Sequence, residues 1–108
     1  MTEKEEVKEA TTRHRFDFQE VDDTTVKVFV IGENGSRPFE TQLNGVTWGM
    51  LEDIMSVQER AKDDMKVVFA FFNEYVEGGG KAIPLKYTLS LFAAIAEYMS
   101  QVMDTQKN

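Results

Sequence analysis

Two hydrophobic periodicities divide the chain. In the first part, apolar residues recur at every second position: Phe16 and Phe18, with Val21 continuing the run, then Val26, Val28 and Val30, with Phe29 and Ile31 on the opposite face. Period two is the repeat of a strand with one buried face, so two strands are predicted here. Asp22-Asp23-Thr24 between them is turn chemistry, because Asp side chains accept from nearby backbone N–H groups and tolerate tight turns. Gly32-Glu33-Asn34-Gly35 follows, and Asn-Gly suits a type I′ turn, in which both central residues take positive φ. Phe39, Thr41 and Leu43 predict a third strand, with Pro38 near its start, where a missing N–H suits a sheet edge. The expectation is an antiparallel β-meander over residues 15–46.

From Thr47 the repeat lengthens to three and four. Trp48, Leu51, Ile54, Met55 and Gln58 fall on one face of a helix that Thr47 caps and that reaches Lys62. Asp63-Asp64 put two acids at the start of a second helix, Met65 to Val76, where they favour the positive end of its dipole, although the two segments could also run on as one. The second helix is apolar nearly all round, with Met65, Val68, Phe69, Phe72 and Val76 on one side and Val67, Phe71 and Tyr75 on the other. It is expected to be the most buried, and its Val-Val-Phe run would also suit a strand. Gly78-Gly79-Gly80 ends it and predicts a flexible link.

The strongest helical pattern comes last. Leu85, Leu89, Phe92, Ile95, Ala96, Met99, Val102 and Met103 form one stripe on a helix opened by Pro84, whose fixed φ suits a first helical position. Tyr87, Leu91, Ala94 and Tyr98 form a second column, so this helix needs cover on two sides. The predicted fold class is α+β: a short N-terminal antiparallel β-meander, then about three α-helices spanning residues 47–103 and packing on it as one domain. Residues 1–14 read as a flexible charged tail and residues 104–108 as a frayed polar one, because neither carries enough apolar surface to offset the entropy of ordering.

Composition narrows the function. A chain of 108 residues has the length of one domain, and 42% hydrophobic with 29% charged residues is soluble globular usage. No apolar run reaches the roughly 20 residues that cross a bilayer, and the charged start lacks the apolar region of a signal peptide, so neither a membrane nor secretion is expected. With no cysteine, disulfides, thiolate metal sites and a cysteine nucleophile are excluded. A formal charge of −7 disfavours nucleic acid, whose binding runs on counterion release by Lys and Arg. Protein partners fit better.

Candidate chemistry is sparse. The single histidine, His14, sits between Arg13 and Arg15 and reads as a solvated tail residue. The acids of Glu3-Lys4-Glu5-Glu6, Asp22-Asp23 and Asp63-Asp64 occupy tail, turn and helix-start positions, where structural roles suffice. Gly78-Gly79-Gly80-Lys81 lacks the spacing of a phosphate loop. No catalytic residue, cofactor or metal ligand is therefore assigned, and an enzyme is the least expected class. Met50, Met55, Met65, Met99 and Met103 provide adaptable apolar surface, and with the aromatic residues they exceed what three short helices bury alone. A protein-binding groove or an oligomer interface would absorb the excess. Phe69, Phe72, Phe92, Ile95, Met99 and Met103 are the candidate groove or core residues.

The order of parts, with Phe-Ala-Phe-Phe-Asn-Glu at 69–74 and Ile-Pro-Leu-Lys-Tyr-Thr-Leu-Ser-Leu-Phe-Ala-Ala-Ile-Ala-Glu-Tyr-Met at 83–99, resembles tail assembly chaperones of long-tailed phages infecting actinobacteria. The resemblance covers about the last 60 residues and is one of texture and size, with no diagnostic motif. It implies a small acidic non-enzyme in the host cytoplasm that coats the tape-measure protein and hands it to the polymerising tail tube protein, with homo-oligomers possible. It also implies a longer form made by ribosomal frameshifting. Gln106-Lys107-Asn108 could be encoded as CAA AAA AAC, which contains the slippery heptamer A AAA AAC, and Gly79-Gly80-Lys81 allows G GGA AAA. DNA lacking both would remove that support. The rival class is a structural tail or virion subunit that oligomerises through its β region.

Overall fold

The computed structural model describes residues 14–107. Strands β1 (Phe16–Asp22), β2 (Thr25–Val30) and β3 (Glu40–Asn44) form an antiparallel sheet in the order β1-β2-β3. Helices α1 (Trp48–Arg60), α2 (Lys66–Tyr75) and α3 (Thr88–Lys107) follow. This is the α+β arrangement that the two periodicities predict. The charged segment before His14, expected to be flexible, lies outside the described residues.

The sheet follows its alternation. Val26, Val28 and Val30 on β2 and Leu43 on β3 are buried against the helices. The Asp22 carboxylate accepts the Thr24 N–H at 3.0 Å and closes the first turn. At the second, Asn34 (φ 58°) and Gly35 (φ 78°) take the positive φ expected of Asn-Gly, and the Ser36 N–H reaches the Glu33 carbonyl at 3.1 Å. That turn tips a long loop instead of joining the strands directly, since β2 ends at Val30 and β3 begins at Glu40. The loop brings the Arg37 guanidinium to 4.0 Å from the Phe29 ring centroid on the sheet's outer face, and Phe29 is buried there. Val21 leaves the alternation: the register shifts between Glu20 and Asp22, and Val21 is exposed at the bulge.

The two sheet edges differ. Leu43 of β3 bridges to Val76, and the Glu77 N–H reaches the Gln42 carbonyl at 2.9 Å, so chain leaving α2 covers part of that edge. The outer edge of β1 pairs with no strand among the described residues.

The segments from Trp48 and from Lys66 are separate helices, as the paired acids predict, because Asp63 and Asp64 turn back on the Arg60 carbonyl and the Asp64 carboxylate accepts the Lys66 N–H at 3.0 Å. Other helix expectations are corrected. Thr47 caps through its backbone alone: its carbonyl accepts from Met50 and Leu51, at 3.0 and 3.3 Å, while its hydroxyl makes no cap bond. Buried residues of α2 are Val67, Val68, Phe71 and Phe72, but Met65 and Phe69 are half-exposed. The glycine run is a docked turn and no loose link. Gly80 is buried, its N–H donates to the Asn73 side-chain oxygen at 2.7 Å, and a Cβ there would come within 2.5 Å of the Phe69 ring.

Pro84 does not open α3. Its ψ of 137° is extended, one 3₁₀ turn (Leu85–Tyr87) follows, and α3 begins at Thr88. At the other end residues 104–107 continue the helix instead of fraying. No Gly or Pro stops it, and the Thr105 hydroxyl donates to the Gln101 carbonyl at 3.0 Å.

The second column of α3 proves as buried as the first. Tyr87 meets Phe39 and Phe16 at ring-centroid distances of 5.5 and 6.4 Å, and Tyr98 stacks on Phe18 at 4.4 Å, so this column faces the sheet. Phe92, from the first column, turns to Phe71 of α2 at 5.3 Å. The start of the predicted stripe is left in solvent: Leu85, in the 3₁₀ turn before α3, is 89% exposed and Leu89, in its first turn, 62%.

Candidate functional site

Two adjacent columns run along α1. Met50, Ile54 and Val57 recur at four and three and enter the core. Trp48, Leu51, Met55 and Gln58 occupy the next arc and line a groove of about 460 Å³, whose other wall is Ala96, Ser100, Met103 and Asp104 of α3. The α3 wall is made of the small side chains of Ala96 and Ser100 with Met103 and Asp104, while Leu51 and Ala96 are half-buried against the core at its base. Trp48 is 60% exposed and Met55 57%. Glu52 and Glu59 lie three before and four after Met55, hence on its face of α1, and both are exposed. No Lys or Arg is among the lining residues. Chemically the site is a mainly apolar slot with Glu52 and Glu59 beside its α1 wall and Asp104 on its α3 wall, able to receive side chains of a partner helix.

Two other clefts carry less. Between β1 and α3 lies a more polar one of about 560 Å³, lined by Phe16 and Phe18 and by Ser90, Ala94 and Glu97. His14 stands at its mouth with its ring edge-on to Tyr87 at 4.8 Å, so it is a packed residue, contrary to its reading as a solvated tail residue. The Tyr98 phenol there has a raised pKa, through burial first and the Glu20 charge second. Between α1 and α2 the Tyr75 hydroxyl donates to the Asp53 carboxylate. Burial first, then this bond and the Asp53 charge, push the Tyr75 phenol up to about 12, so it holds its proton at neutral pH. Among the described residues, no group of three or more His, Cys, Asp or Glu is placed to hold a metal ion. No described helix is long and apolar enough to cross a membrane.

The six candidate residues separate. Phe72, Phe92, Ile95 and Met99 belong to the core, Phe69 lies half-exposed over Gly80, and Met103 lines the groove. Sequence reasoning placed Trp48, Leu51, Ile54, Met55 and Gln58 together on one helical face and did not single out Trp48, Leu51 and Met55 as groove walls. Two signals bear on it: the competing column Met50, Ile54, Val57 at the same spacing, and the small residues Ala96 and Ser100 among bulky ones. No protein-family model matches this chain, and no curated protein or solved structure matches it either.

Proposed function

We propose that this chain is a tail assembly chaperone of a long-tailed phage, acting in the host cytoplasm. It binds apolar helical segments of the tape-measure protein and keeps them soluble until the tail tube protein polymerises around them. The observation that carries the reading is the groove between α1 and α3, in which Trp48 and Met55 stand exposed beside a half-buried Met103 on a chain of charge −7. Methionine and tryptophan surfaces repack on different apolar clients, and a net acidic surface keeps such a protein soluble and away from DNA. The role is non-enzymatic and needs no cofactor.

The test is intact-mass analysis of products from the native locus, with a pulldown of the longest neighbouring coiled-coil protein. A minor extended product sharing residues 1–108, retained with that partner, is the expected result. One product that assembles into rings or tubes without the partner favours the second reading, a structural tail subunit. The outer edge of β1, which pairs with no strand among the described residues, is the observation on that side, since an open edge is a template for strand pairing between copies.

A further inference from the structure

The groove carries information about its occupant beyond apolarity. The one charged residue lining it is Asp104 on the α3 wall, and Glu52 and Glu59 border it on α1, spaced seven residues apart on the helix face that holds Met55. The two α1 carboxylates stand two turns apart, Asp104 adds a third on the α3 wall, and no Lys or Arg is among the lining residues, so the field along the α1 wall is negative. A partner helix seated in the slot would align its own flank with that wall over the same two turns. Neutral or acidic flanks would leave the rim unpaired or repelled.

We infer that the groove selects amphipathic helices whose apolar stripe is flanked on one side by Lys or Arg at a seven-residue spacing. The inference rests on the groove being the client site proposed above and adds the chemistry of the client. The apolar contact supplies most of the affinity, whereas the rim sets the choice among helices of equal apolarity and fixes their direction in the slot.

Trp48 is the single tryptophan of the chain and stands on the groove wall, so its emission reports occupancy. The experiment titrates the full chain with two synthetic amphipathic helices that share one leucine stripe, one with Lys and one with Glu at the flanking positions. At low ionic strength the Lys helix should bind about tenfold more tightly, the effect expected of two exposed ion pairs near the upper end of their range. That preference should vanish near 1 M salt, where the screening length falls to about 3 Å. Glu52→Gln with Glu59→Gln should remove the preference and leave residual apolar binding, and Met55→Ser should abolish binding of both helices with the circular dichroism unchanged. Equal binding of the two helices, or a preference that survives the double Gln variant, overturns the charge selection while leaving the groove as a docking site. Failure of either helix to move Trp48 emission, or full binding by Met55→Ser, overturns the groove itself.

Discussion

The seam between α2 and α3 and the seam between α1 and α3 are written in similar residues and end differently. In the first, Phe92 of α3 inserts against Phe71 and Phe72, at centroid distances of 5.3 and 6.5 Å, and all three rings are buried. In the second, Ala96 and Ser100 of α3 line a groove with Leu51 and Met55, and although Leu51 and Ala96 pack on the core an opening of about 460 Å³ remains. Apolar spacing alone does not close a helix pair. Closure needs side chains long enough to meet, because a gap of even an ångström forfeits much of the dispersion attraction.

The largest test of this contrast is a pair of truncations. Phe72→Ala should lower unfolding free energy by about 3–5 kcal/mol, since the closed seam cannot refill a ring-sized void. Met55→Ala should stay within about 0.5 kcal/mol, as expected at an exposed position without a special role. Both are read from denaturant midpoints, and comparable losses would mean that the open seam is as tightly packed as the closed one.

A smaller effect on stability, with a large one on binding, comes from filling the groove. Ala96→Leu adds the length that α3 lacks there, and stability should change by no more than about 1 kcal/mol. Trp48 emission should shift to the blue and client helices should no longer bind. Unchanged emission with intact binding would show that the missing length at Ala96 is not what holds the seam open.

The smallest test concerns the third seam, between α1 and α2, which Tyr75 and Asp53 join by a hydrogen bond. A phenol is uncharged when protonated, so a folded-state pKa raised from 10.0 to about 12 means that the folded chain holds this proton more tightly. The contribution is therefore complete below pH 10 and is lost as pH rises toward about 12. Thermal melts of wild type and Tyr75→Phe should converge across that window. A constant difference between them would show that the folded chain does not hold the Tyr75 proton more tightly than the unfolded one.

Much of the fold was legible in the chain. Alternation at Phe16 to Phe18 and Val26 to Val30 is a local property of an extended backbone with one buried face, and Asp22 and Asn34-Gly35 impose their turns through their own φ preferences and side-chain bonds. Helix existence followed for the same reason: spacings of three and four commit a segment to one period, whatever it packs against. Which column of each helix faces inward was not local. On α1 the columns of Met50 and Trp48 have the same spacing, and on α3 those of Leu85 and Tyr87 do. Tertiary structure chose between them, because the sheet presents Phe16, Phe18 and Phe39, and rings on Tyr87 and Tyr98 reach these where Leu85 and Leu89 do not. The sequence by itself therefore determined the elements, their order and the amount of apolar surface. Only the assembled fold decided which of that surface became core and which was left as a groove, since burial depends on what stands opposite, and that is set by residues far along the chain.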